Sequence, residues 1–158
     1  MRKSIRVMTV ALAVTFLLPA AASAQWPVKN TKSYVSQGYH SKHKAYDIAS
    51  YKGTPVIPMR RGTVAYAGRK SNCGGLQVYV YHGNGLYSAY HHLSTEYVWK
   101  GKYITRDKML GRVGASGCTT GPHLHISVWR GYPWRSGSYR ISPWKFIDSG
   151  PWFPSRYK

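Results

Sequence analysis

The chain holds seven histidines but only four acidic residues, so acid–base or metal chemistry in it must run largely through imidazole. His123 and His125 are one residue apart in His123-Leu124-His125-Ile126-Ser127-Val128. In an extended strand alternate side chains share a face, so both rings stand on one side with Leu124, Ile126 and Val128 on the other. Two imidazoles above an apolar floor suit a metal ligand beside a second functional histidine. Upstream, His43-Lys44-Ala45-Tyr46-Asp47 sets an imidazole and a carboxylate four residues apart, just ahead of the apolar Ile48-Ala49. His92 lies in an alternating run that gives it one face with Tyr90, Ser88 and Leu86. His40, His82 and His91 fit no such geometry and are expected at the surface. The plain alternatives are two surface histidines in the first motif and a loop salt bridge in the second.

Two imidazoles and Asp47 together would supply three protein ligands and leave a fourth position for water, the arrangement of catalytic rather than structural zinc. Zinc lowers the pKa of bound water to about 7, which makes a nucleophile at neutral pH. A structural site would need a fourth protein ligand, usually cysteine, and the cysteines lie elsewhere. No His-Glu-x-x-His helix is present, so a histidine would have to be the base.

The elements that position these groups read as strands and turns. Short alternating runs bounded by Gly, Pro and Asn recur, and helical periodicity is scarce. Strands are expected over residues 54–59 and 63–67 about the turn Arg60-Arg61-Gly62. In Leu76–Tyr81 the aliphatics fall on one face and the polar or aromatic residues on the other. Gly83-Asn84-Gly85 is a hairpin signal leading into residues 86–93. Residues 131–158 are rich in Trp, Pro, Arg and Ser without a period, and predict an extended tail packed by its aromatics. The expectation is a mainly β protein with one antiparallel sheet or sandwich domain.

At the N-terminus, Arg2, Lys3 and Arg6 precede the apolar Val7–Leu18 run, then Pro19 and Ala22-Ser23-Ala24. This predicts a signal peptide over residues 1–24, cut before Gln25, and hence a product exported outside the cytoplasm. The competing reading is an uncleaved membrane anchor. No second apolar run is long enough to span a membrane. An oxidising compartment favours a disulfide between Cys73 and Cys118, worth at most roughly 4 kcal/mol in the chain-entropy model. Lys and Arg number 23, giving a net charge of +19, which points to a polyanionic partner such as nucleic acid, an anionic wall polymer of the teichoic acid kind, or an anionic surface.

In order, the motifs H-K-A-Y-D-I-A at 43–49, K-G-T-P-V at 52–56, G-T-V-A-Y-A-G at 62–68, Y-H-G-N-G at 81–85, Y-H-H-L-S at 90–94 and S-G-C-T-T-G-P-H-L-H at 116–125 resemble the lysostaphin-type zinc endopeptidases that cut peptide bridges in bacterial peptidoglycan. The resemblance implies that family's β fold with a groove-like site, and one Zn²⁺ per chain on His43, Asp47 and His125. It implies that His92 and His123 polarise water and stabilise the tetrahedral intermediate. Tyr39 is a candidate for an aromatic beside the substrate. The expected layout is a lead segment at 25–37, a peptidase domain at 38–147 and a basic aromatic tail at 148–158, acting on peptidoglycan peptides as a monomer. Ala45 replaces a glycine usual in the family's H-x-G-x-D, which matters if that residue needs positive φ. The cysteine pair is not a general family feature and suggests a bridge pinning one wall of the cleft.

Two rival readings remain. A non-catalytic basic wall-binding protein on the same fold would leave the complete ligand set unexplained. A nucleic-acid binder would use the charge and aromatics but explains neither H-x-x-x-D nor H-x-H, so no nucleic acid is expected.

Overall fold

Runs of Val, Ile and Tyr punctuated by Gly, Pro and Asn fold as strands because their side chains pack on a pleated surface. The structure, a computed structural model, describes residues 25–147; the expected signal peptide at 1–24 and tail at 148–158 lie outside them. The strands are β1 (Tyr34–Gln37), β2 (Tyr46–Ala49), β3 (Pro55–Val56), β4 (Gly62–Arg69), β5 (Leu76–Tyr81), β6 (Leu86–Glu96), β7 (Tyr103–Ile104), β8 (Gly111–Val113), β9 (His123–Arg130) and β10 (Tyr139–Ile141). A single 3₁₀ turn, Pro143–Phe146, follows. All strands join one antiparallel sheet in the order β1-β2-β9-β6-β5-β4-β7, with β10 beside β9 and the β3–β8 pair attached through β6. No helix among the described residues is long and apolar enough to cross a membrane.

One expectation about the elements needs correction. Only Pro55–Val56 of residues 54–59 forms a strand, because Pro55 and Pro58 lack the N–H that a ladder needs. Ile57 instead donates to the Pro27 carbonyl, and Val28 bridges to Val56. The lead segment therefore belongs to the sheet: Val28 is buried and β1 pairs with β2.

One face of the sheet carries the main core. Tyr46, Ile48, Val78, Val80, Tyr90, Leu124, Ile126 and Val128 meet there. This is the apolar floor that alternation along β9 predicts. The opposite face is not simply polar. Tyr79, Ala89 and Trp129 form a second buried cluster, screened by Tyr66, Tyr87 and Tyr132, and Gln77 is fully buried beside it. The β5 alternation is real, but aromatics arriving from other segments cover its second face.

His82 is half-buried rather than a surface group. Its Nδ1 donates to the Arg61 carbonyl at 2.9 Å, and its Nε2 lies 2.8 Å from Ser88 Oγ. Ser88 in turn meets the Tyr90 hydroxyl, which accepts the Met59 amide. Burial pushes the His82 imidazole down to about 4, against the Arg61 carbonyl, with the charge of Arg60 also lowering it. Burial likewise holds His91 well below the usual histidine value. Below about pH 6.5 the unfolded chain takes up protons that the folded one refuses, so stability falls as pH drops toward 4. We expect a urea titration to show about 2 kcal/mol less stability at pH 5 than at pH 8 from His82 alone. His82→Gln should flatten that dependence; a midpoint unchanged by acid would contradict it.

Candidate metal centre

Strand register brings the site together. Asp47 on β2 stands directly opposite His125 on β9, and His91 on β6 stands opposite His125 from the other side. Directly opposed residues share a face with Cβ atoms about 5 Å apart. Asp47, His125 and His91 therefore form a row across three strands, on the face away from the main core. His123 follows on β9, paired with Ala49. His43 approaches from the loop before β2, and its Nε2 lies 3.2 Å from Asp47 Oδ2. His125 Nδ1 is hydrogen-bonded to Asp47 Oδ1 at 2.7 Å.

His92 reaches the site by a different route from the one alternation predicts. Leu76 pairs with Leu93 but Val78 pairs with Tyr90, so β6 carries one extra residue at this point. Such a bulge turns a side chain out of its regular face. His92 takes the turn, with φ of 60°, a left-handed conformation that costs about 1–3 kcal/mol outside glycine. It thus leaves the face of Tyr90, Ser88 and Leu86 and comes within 4.7 Å of His123, ring centroid to centroid.

Hydrogen bonds set the ring tautomers. A carbonyl can only accept, so a ring nitrogen bonded to one carries the proton. His43 Nδ1 donates to Gly38 O at 3.0 Å, His92 Nδ1 to Ser116 O at 2.8 Å, and His123 Nδ1 to Gly121 O at 3.0 Å. In each ring Nε2 keeps its lone pair. His43 Nε2 is buried and has no hydrogen-bond partner although a carboxylate oxygen faces it. That suits a cation between them: ligands about 2.0–2.1 Å from a tetrahedral zinc are roughly 3.3 Å apart. Ligand atoms of His43, Asp47 and His125 all lie within 4.8 Å of one another, so the group fits a metal ion. Burial acts to raise the Asp47 carboxyl, but the hydrogen bond from His125 and the charges of His125, His43 and His123 outweigh it and hold it below its usual value. Burial lowers the His92 imidazole, helped by His123 and His125 and opposed by the Ser116 carbonyl, so the ring is neutral at pH 7.

A cavity of about 420 Å³ opens over these groups. His91 lines it at 2% exposure, with its ring edge-on to His125 at 5.2 Å. Its burial corrects the expectation of a surface residue: on the regular part of β6 it shares its face with Ala89, and the register with β9 sets it beside His125. Cys73 and Cys118 line the same cavity, sulfur against sulfur, with Cα atoms 4.6 Å apart. Their segments run backbone to backbone, Cys118 N donating to Cys73 O, and a Cβ on Gly75 or Gly117 would strike the facing main chain. Tyr39 does not line this cavity; it packs on the core and donates to the Arg140 carbonyl. His40 is exposed. Ala45 is buried and is not among the residues with positive φ, so its methyl needs no special backbone.

Two histidines and one carboxylate in an accessible cleft are a ligand set that could hold a metal and leave a position open for chemistry. The chain is a member of Peptidase family M23, which it matches over residues 41–137. It is 38% identical to Peptidoglycan DD-endopeptidase ShyA of Vibrio cholerae over 92 residues, 58% of this chain and 21% of that protein. It is 32% identical to lysostaphin of Staphylococcus simulans over 110 residues, 66% of this chain and 22% of that protein. The solved structure of the antimicrobial peptidase lysostaphin from that organism superposes with a TM-score of 0.67 at 27% identity, covering 83% of this chain and 54% of the other. The match spans about a fifth of the length of the curated relatives.

His43, Asp47 and His125 form the group that could hold a metal, and His92 lies outside it. In a Zn²⁺ titration followed by calorimetry, the parent protein should bind one equivalent. Asp47→Ala and His43→Ala should weaken that binding by at least about 100-fold, and His92→Ala should retain it. Equal loss in all three variants would contradict the assignment.

Proposed function

We propose that this chain is an exported zinc endopeptidase that hydrolyses peptide bonds in bacterial peptidoglycan. The observation that carries the reading is the unpartnered His43 Nε2 facing Asp47, with His125 on the other carboxylate oxygen and two further imidazoles beside it. Family membership supports the peptidase chemistry, and the names of relatives support the wall substrate. The signal-like sequence at 1–24 supports export.

His43, Asp47 and His125 would hold the metal. When bound, zinc supplies Lewis acidity and a nucleophile from water at neutral pH. His92 and His123 handle protons. Each has its Nδ1–H committed to a backbone carbonyl, so Nε2 can accept a proton from water without disturbing the rest of the site. The ring that takes the proton becomes a donor at Nε2, able to deliver it to the leaving amine; the other ring, with a lone pair at Nε2, stabilises the developing oxyanion only in its protonated form. Asp47 stays ionised and balances the charge that accumulates.

Purified protein incubated with peptidoglycan should release new amino termini, and 1,10-phenanthroline should abolish the release. Asp47→Ala and His125→Ala should lower the rate by at least about 1,000-fold, since removal of a ligand removes both functions of the metal. Release that persists in the chelator, or in these variants, would sink the zinc mechanism. A folded, zinc-loaded protein that cleaves no wall would return the reading to a basic wall-binding protein.

A further inference from the structure

The cleft changes its charge along its length. On one side of the metal centre the cavity that holds His43 and His125 shares Trp134 and Arg140 with a second cavity of about 570 Å³. That second cavity contains Lys44, Arg135 and Arg140 and no acidic residue. Among the described residues no carboxylate lies within 4.0 Å of any of the three; the ion pairs are those of Lys29 with Asp107 and of the histidines with Asp47. On the other side, a cavity of about 360 Å³ shares Asp47, Thr120 and His123 with the centre and holds Ser36, Gln37 and Gly121, with no cation.

The cationic side is built rather than incidental. Lys44 lies between His43 and Asp47 in sequence, and its Nζ sits 4.9 Å from the Tyr39 ring centroid. The same Tyr39 donates its hydroxyl to the Arg140 carbonyl, so one side chain touches Lys44 and the Arg140 backbone. The Arg140 guanidinium lies against the contacting Trp129–Trp134 ring pair, 5.3 and 5.4 Å from their centroids. A planar guanidinium resting on aromatic rings keeps N–H donors available for a carboxylate. Trp134, at φ of 68° in the β9–β10 loop, lines both cavities.

Resting on the peptidase reading above, we propose that the cleft selects its peptide by charge. It takes a strand with a free carboxylate about one or two residues from the scissile bond, lodged at Lys44, Arg135 and Arg140. Small uncharged residues occupy the side of Ser36, Gln37 and Gly121. An uncharged oligoglycine bridge leaves the cationic wall without a partner and is a poor substrate.

The test uses the zinc-loaded protein and two synthetic cross-link peptides that differ only in a carboxylate or a carboxamide beside the scissile bond, with pentaglycine as a third substrate. The carboxylate peptide should show about tenfold higher kcat/KM than its amide. In Arg140→Gln and Lys44→Gln that ratio should fall toward one, and Arg140→Lys should restore only part of it. Lys44 lies on a loop, so its variant reports even if a change at Arg140 disturbs β10. Equal cleavage of the acid and amide peptides, or faster cleavage of pentaglycine, overturns the proposal and leaves the peptidase reading standing. Loss of binding to a phosphate polymer in the variants, with no change in the peptide ratio, also overturns it and assigns the cations to polyanion retention. Failure to cleave any peptide or peptidoglycan removes both readings.

Discussion

The direction of the imidazole lone pairs depends on three backbone carbonyls, those of Gly38, Ser116 and Gly121, each taking the Nδ1–H of one histidine. A neutral imidazole has one donor and one acceptor nitrogen, and the chemistry here needs the acceptor in the cleft. Were any of these carbonyls turned away, the ring could present N–H to the metal or to water and would be inert in its role. Ser116 is tied by its hydroxyl, which accepts from Leu76 N and donates to Leu93 O, so the loop that orients His92 is fastened to the two central strands.

The sheet supplies the other half of the positioning. Placing Asp47, His125 and His91 in one row needs only the antiparallel register of β2, β9 and β6, with Ile48, Leu124, Ile126 and Tyr90 anchoring the strands from beneath. A register slip of one residue would send the whole row into the core. The β6 bulge adds His92 to a face it would otherwise miss, and the close backbone contact of the Cys73–Gly75 and Ser116–Cys118 segments closes the cavity wall there. Strain at His92 and the tight glycine contacts sit where the cleft is formed, and the regular strands carry the stability that holds them.

Local patterns were legible in the sequence. The H-x-H alternation placed His123 and His125 over an apolar floor, and Asp47 at the head of an apolar strand, because period-two geometry is a property of a few neighbouring residues. The remainder depended on contacts distant in the chain. Unbroken alternation puts His92 on the face of Tyr90 and leaves His91 without a role, and only the pairing of β5 with β6 reveals the extra residue. Arriving aromatics bury Gln77 and Tyr79, and His82 is held by Arg61 and Ser88 from different segments. The adjacent His91-His92 pair inside a strand was the one signal of irregularity available, since neighbours in a regular strand face opposite ways and could not both join one site.

Long-range ¹⁵N–¹H correlation spectra of the histidine rings at neutral pH test this account at its base. They report directly which ring nitrogen carries the proton. The structure predicts the Nδ1–H tautomer for His92 and His123, with Nε2 unprotonated in both. Observation of Nε2–H in either ring would mean that its lone pair points at the backbone rather than into the cleft, and would contradict the proton-handling role given to that residue.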